Sequence, residues 1–240
     1  ESISRKGETV DHYHDWSSVE PPDVFDDPPI VFEARGDLAC FTRPEFQGER
    51  VSYPLMTPSA AVGLTTAIFW KPEVRYVVEA IDVLQRGGWL AMRRNEAGVP
   101  ITRDAINRGG LAMDDVVQQR MTTMLRDVAY RIHVNIWVHP GAREQSPAKW
   151  RDQLRRRIQR GQSFRTPFLG MREFHADVTD RTDESPDHTW TEDLGPMVHS
   201  IQYDDRTGKE SYSFFRASIN RGTMRVPRAG FGLLAAKESA

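Results

Sequence analysis

The sequence predicts an α+β fold, and three observations carry the prediction. Residues 124–138 alternate at the period of a strand, with Val128, Tyr130, Ile132, Val134, Ile136 and Val138 on one face. Residues 147–160 form a helix marked at both ends, with an apolar stripe. The C-terminal third contains further strand-like segments, near 171–178, 196–204, 211–219 and 222–227. The 240 residues suit one domain better than two, and 39% hydrophobic residues suffice for a sizeable core.

The elements follow in order. Residues 1–29 lack periodicity, contain Pro21, Pro22, Pro28 and Pro29, and carry two basic against eight acidic residues. They read as an acidic, flexible leader. Residues 30–42 suit a strand bent at Gly36. Cys40 lies in that apolar strand and is expected to be an inert buried thiol. Residues 57–71 read as a helix, with Thr57 as N-cap, Pro58 at the first helical position and Pro72 past the end. Strands are expected at 74–84 and 89–94, joined by a turn at Gly87-Gly88, followed by a long polar loop over 97–120. The strand 124–138 places Arg131, His133, Asn135 and Trp137 opposite its apolar face.

In the helix 147–160, Ser146 can cap, Pro147 fits the first turn and Gly161 suits the C′ position. Trp150, Leu154 and Ile158 make the stripe, and Arg151, Arg155, Arg156 and Arg160 lie off it. A Gly-bounded loop with two Phe and one Arg fills 161–170, and Thr207-Gly208 marks a hairpin turn. No sharp boundary cuts the core. It runs over 30–228, with a tail at 229–240.

Charge narrows the function. Net charge is −2, yet residues 143–172 hold nine basic against two acidic residues, and 27 of the 32 basic residues are Arg. Arg presents a planar fork that matches phosphate and stacks on bases. A basic patch inside a near-neutral chain is the footprint of a nucleic-acid site, although a solvated helix face has the same composition. No run of about 18 apolar residues exists, so no membrane span is expected. One cysteine excludes an intramolecular disulfide and a Cys-rich zinc site. Nothing at the start resembles a signal peptide, so a soluble, cytoplasmic protein is expected. Walker, G-x-G-x-x-G, H-E-x-x-H and G-x-S-x-G motifs are absent.

Candidate residues follow from chemistry. Lys149 can stabilise charge on a phosphate transition state or simply bind phosphate. Trp70 and Lys71 can stack a base and pair a phosphate, while Trp70 serves equally as core. Arg93, Arg94, Asn95 and Glu96 end a strand, where backbone and base contacts are made. His133 and His139 are titratable near neutral pH, or are structural histidines. His12 and His14 beside Asp11 and Asp15 resemble a metal cluster, but two His in an acidic tail more often take up stray ions. No metal or cofactor is assigned.

Four segments sharpen this. They are FTRPEFQGERVSYPLMTPSAAVGLTTAIFWKP at 41–72, RRNE at 93–96, QQRMTTMLRDVAY at 118–130 and RGQSFRTPFLGMREF at 160–174. In content, order and spacing they resemble the Cas-five family of CRISPR-associated proteins in its type I-C form, over roughly residues 30–228. The resemblance implies a ferredoxin-like, RRM-related (RAMP-type) domain with a C-terminal β-rich region. It implies a subunit of the Cascade complex that holds the 5′ repeat-derived handle of CRISPR RNA. Its partners would be the backbone and large subunits and, through the assembled complex, target DNA. It also implies metal-independent cutting of precursor RNA by a 2′-hydroxyl. The family assigns that step to a Tyr or His before W-K-P and a Lys-His pair before the basic helix. Here those positions are Phe69, Lys149 and Trp150, and neither ring transfers a proton. Possible substitutes are His133, His139 and Tyr130. The resemblance makes Arg43, Arg50, Tyr53, Trp70, Lys71, Arg93, Arg94, Asn95, Arg120, Lys149, Arg165 and Phe168 the candidate RNA contacts. Two readings stay open: a processing endoribonuclease that remains bound, and a handle-capping module that does not cut.

Overall fold

The alternating segment becomes the spine of the molecule. In this computed structural model, which describes residues 16, 19–46, 48–97, 117–142, 146–203 and 209–232, it lies in a 22-residue strand, β5 (Val117–Val138). Val128, Tyr130, Ile132, Val134 and Ile136 are all buried on one face, as their spacing predicts. On one edge β5 pairs antiparallel with β1 (Ile30–Ala39), from Ile30 opposite Val134 to Ala39 opposite Leu125. On the other edge it pairs with β3 (Val74–Gln85) and, further along, with β4 (Gly88–Ala97). The short β2 (Arg50–Val51) adds a parallel pair at Thr122 and Thr123.

Two helices cover the apolar face. The first, α1 (Pro58–Ile68), is capped by the Thr57 hydroxyl, which accepts from the Ala60 N–H. It ends three residues before the expected Lys71, because Phe69 is already extended. The carbonyls of Ala67 and Ile68 that a longer helix would use are taken by N–H groups of Phe164 and Arg165. The second, α2 (Pro147–Gln159), buries Trp150, Leu154 and Ile158. Ser146 holds the N-cap position without a side-chain capping bond. Gly161, at φ +61°, closes the helix: its N–H reaches the Ile158 carbonyl and the Gln162 N–H the Arg157 carbonyl, a Schellman arrangement.

Beyond α2 the chain adds β6 (Asp177–Thr179) on β1, then β7 (Glu192–Tyr203), β8 (Glu210–Asn220), β9 (Thr223–Arg225) and β10 (Phe231–Gly232). The strand order is β10-β8-β9-β3-β5-β1-β6, with β7 also on β8, so the described residues form one largely antiparallel sheet with two helices, an α+β fold. Inside it, the run β1-α1-β3-β5-α2-β6 gives the spatial order β6-β1-β5-β3.

Two further expectations need correction. Val117–Arg120, expected in a loop, are strand, with Arg120 opposite Arg94 and Val117 opposite Ala97. They and β4 form a two-stranded ribbon with much exposed surface, so no apolar alternation marks them. Residues 171–176, expected as strand, are turns and an isolated bridge between Phe168 and His175, and only 177–179 pair as β6. The rest of the 97–120 segment, Thr207-Gly208 and the His12/His14 cluster lie outside the described residues. No described helix is long and apolar enough to cross a membrane.

Part of the acidic leader lies against this core. The Trp16 indole N–H donates to the Pro72 carbonyl, Arg228 lies over the Phe25 ring, and buried Arg151 binds Asp27 and the Pro28 carbonyl.

Candidate nucleic-acid interface

The site begins where α1 stops. The Phe164 and Arg165 N–H groups cap the α1 carbonyls at 2.9–3.1 Å, which draws the 161–170 loop over the helix end. Phe164 is thereby stacked on Trp70, with centroids 5.7 Å apart and planes 24° apart. The Arg165 guanidinium lies 5.3 Å from the Phe164 centroid. These groups, with Phe168 and Arg172, line an open cleft of about 770 Å³. Phe164 is 50% exposed, so an aromatic ring and two cations reach solvent together. That is the chemistry of a single-stranded nucleic-acid platform: a π-face for a base and guanidinium groups for phosphate.

Beside the cleft, α2 packs against the end of α1. Trp150 packs on Phe69 at 6.2 Å between centroids, and Lys149 Nζ stands 4.9 Å from the Trp150 ring centre. Arg157 donates to the Ile68 carbonyl at 3.1 Å and lies over the Phe69 ring at 5.4 Å. The three positions that the resemblance assigns to catalysis therefore come together, although Phe69 and Trp150 are buried. Arg155, Arg156 and Arg160 are exposed, whereas Arg151 is drawn inward. Burial pulls its guanidinium below the ordinary value while Asp27 opposes that pull.

The remaining candidates lie on the β4–β5 ribbon, on β2 and just before it, with Arg94 and Arg120 on one face of the ribbon and Arg93 and Asn95 on the other. Arg93 and Asn95 are exposed, whereas Arg94 packs over Phe174 and pairs with Glu173 at 2.5 Å. Burial alone would raise the Glu173 carboxyl, but the Arg94 hydrogen bond, a backbone hydrogen bond and the charges of Arg94 and Arg50 hold it below its usual range. Arg43 lies 4.5 Å from the Tyr53 ring centre and pairs with Glu45 at 3.4 Å. Tyr53 itself is 1% exposed, with its phenol pushed up to about 12 by burial, so it supports Arg43 from beneath. The 168–174 segment links the cleft, through Phe168 and Arg172, to Arg94 on the ribbon, through Glu173. Lys71 is exposed beside Trp70.

The suggested proton-transfer substitutes lie elsewhere. Tyr130 is enclosed in the core, and burial raises its phenol far above the ordinary value. His133 Nε2 is 2.8 Å from Asp82 Oδ2 on the sheet face away from the helices. His139 meets Trp16 edge-on and accepts from the Gly141 N–H through Nδ1. Cys40 is buried, and burial raises its thiol. Among the described residues no group of three or more His, Cys, Asp or Glu is arranged to hold a metal. Phe164, Arg157 and Arg172 were not singled out from the sequence. Only the aromatic–Arg run Phe164-Arg165 hinted at the first, and the other two depend on how the loop and α2 meet α1.

Comparison with known proteins gives a consistent set. The family model for CRISPR-associated protein (Cas_Cas5) matches residues 30–227. A relative from Thermus thermophilus, named CRISPR pre-crRNA endoribonuclease Cas5d, is 40% identical over 211 residues, covering 80% of this chain and 88% of that one. Its namesake from Mannheimia succiniciproducens is 37% identical over 209 residues, covering 80% and 92%. In fold, the chain is similar to a solved CRISPR-associated protein, with a TM-score of 0.59, 24% identity and coverage of 82% and 91%. A functionally uncharacterized protein from Streptococcus mutans gives a TM-score of 0.58, 24% identity and coverage of 83% and 92%.

Proposed function

The chain belongs to the CRISPR-associated Cas5 family in its type I-C (Cas5d) form, and from that premise we propose that it binds the single-stranded 5′ repeat-derived handle of CRISPR RNA. The observation that carries this reading is the Trp70–Phe164 stack with Arg165 and Arg172 at the mouth of an open cleft. Stacking and cationic contacts suit a strand whose bases are unpaired. The run β1-α1-β3-β5-α2-β6, in the order β6-β1-β5-β3, supports the ferredoxin-like reading of the domain. Strands β7–β10 are then the C-terminal β-rich region. In this reading the subunit acts within a cytoplasmic Cascade complex for antiviral defence. It caps the handle against the backbone and large subunits and meets target DNA through guide pairing.

The names of the two relatives favour a second reading, in which the chain also cuts precursor RNA. Lys149 carries the positive charge that stabilises a pentavalent phosphate, but Phe69 and Trp150 supply no proton transfer. Loss of general acid–base help slows such a step by about 10²–10⁴ per group. One experiment tests both readings: incubate the protein with its labelled repeat hairpin RNA in excess EDTA and resolve the products on a denaturing gel. Tight binding with cleavage slowed by this factor relative to the Thermus relative is the expected result. Rapid cutting to a 2′,3′-cyclic phosphate would establish the second reading. Absence of binding would overturn both.

A further inference from the structure

Trp16 fills a socket built by the core. Its indole N–H donates to the Pro72 carbonyl at 3.0 Å. Its ring meets Trp137 at 4.8 Å and His139 at 4.9 Å between centroids, both edge-on. The Arg75 guanidinium lies 5.2 Å from the ring centre. Arg75 and Trp137 are cross-strand partners in β3 and β5, so the socket stands on rigid sheet, on the face away from the helices. Aromatic edges, a guanidinium over a π-face and a carbonyl that accepts an N–H are the groups that hold a nucleobase. The same element leads to the stack described above, because Pro72 follows Trp70 and Lys71 directly.

The occupant resembles a nucleic-acid segment in its chemistry. One planar ring is followed by Glu20, Asp23, Asp26 and Asp27. The segment returns to the core where Asp27 and the Pro28 carbonyl hold Arg151, at 3.4 and 2.5 Å. Between these anchors Val24 is 76% exposed, while Arg228 lies over the Phe25 ring. The family match runs over residues 30–227, and this occupant precedes it.

Resting on the RNA-binding reading, we propose that the Arg75–Trp137–His139–Pro72 socket is a nucleobase subsite, and that Trp16 is its intramolecular occupant, competing with single-stranded RNA. The leader then sets a threshold: RNA gains the socket only by displacing Trp16.

The test is fluorescence anisotropy with the full chain and a labelled single-stranded RNA of its own repeat. Trp16→Ala empties the socket and is expected to tighten binding about five- to tenfold, the lower end of what one base–aromatic stack contributes. Adding Trp137→Ala to Trp16→Ala is expected to remove that gain. Affinity that Trp16→Ala leaves unchanged or weakens overturns the proposal and makes Trp16 a fastening of the leader to the sheet. Arg165→Glu separates the two readings. Binding that falls with Arg165→Glu but ignores Trp16 keeps the RNA function and sinks the socket. A chain that binds no RNA with or without Trp16 sinks both.

Discussion

Phe69 and Trp150 are far apart in the chain and in contact in the fold, with Arg157 over the first ring and Lys149 over the second. A cation is thus retained where the resemblance expects chemistry, while the proton carriers are replaced by packing. Trp150→His restores a titratable ring beside Lys149. It should raise single-turnover cleavage of repeat RNA in EDTA by about 10²-fold while lowering the melting temperature, since the indole fills core. An unchanged rate at saturating protein would remove Trp150 from the reaction. Phe164 tests the opposite property. It is half exposed and stacks on Trp70, so Phe164→Ala should weaken RNA binding by about 5- to 100-fold, the worth of one base–aromatic stack, with little change in thermal stability. Equal affinity by anisotropy would take the stack out of the interface. Arg94 differs from its neighbour Arg93 for a reason invisible in the sequence. Its guanidinium is committed to Glu173 and Phe174, residues far along the chain, whereas Arg93 points to solvent.

The loop after α2 organises the candidate interface, and glycine makes its position possible. Gly170 has φ +82°, and a Cβ there would stand 2.0 Å from the Cys40 carbonyl oxygen. Without a side chain the loop lies against the end of β1, where the Cys40 N–H donates to the Leu169 carbonyl at 3.1 Å. Gly170→Ala is expected to push Phe168 and Arg165 out of register and weaken RNA binding more than Phe164→Ala does. Hydrogen exchange over 161–175 reports the loosening, and unchanged exchange with full affinity would show that the loop tolerates the clash. Elements with an apolar face and a polar face were legible in the sequence: the β5 alternation, the α2 stripe with Gly161, and the Thr57 cap of α1. The β4–β5 ribbon was half legible, because strands exposed on both faces carry no hydrophobic period. The end of α1 was misplaced by three residues, because loop N–H groups from a distant segment capture its last carbonyls. Among the candidate contacts gathered around the cleft, Trp70, Lys71, Arg165 and Phe168 were marked by local motif. Arg157 and Arg172 were not, since their place depends on tertiary contact alone.

The whole sheet is stapled on the face away from the helices by a buried polar network that spans four strands. Arg131 on β5 binds Glu33 on β1 at 2.7 Å and approaches Asp82 on β3 at 4.0 Å. Asp82 also accepts from Thr223 on β9 at 2.7 Å and contacts His133 at 2.8 Å. The Glu184 carbonyl accepts from Arg131, which ties the 180–187 segment to the same point. Sequence periodicity put Arg131, His133 and Asn135 on one face but could not supply partners from other strands. Burial alone would raise the Asp82 carboxyl, yet the hydrogen bonds from His133 and Thr223, together with nearby positive charge, outweigh it and hold the carboxyl below its ordinary value. A carboxyl depressed in the folded state stabilises the fold above its unfolded pKa, and that contribution is lost as pH falls through the folded value. Stability from Asp82 is therefore complete at neutral pH and erodes below about pH 4, the ordinary carboxylate range. Asp82→Asn should cost about 3 kcal/mol at pH 7, the lower end for a buried pair that loses one partner. Denaturant melts of both proteins across the acid range check the sign. The gap between them should narrow as the wild-type carboxyl protonates, and a gap that stays constant down to acid unfolding would mean that packing, not charge, makes Asp82 matter.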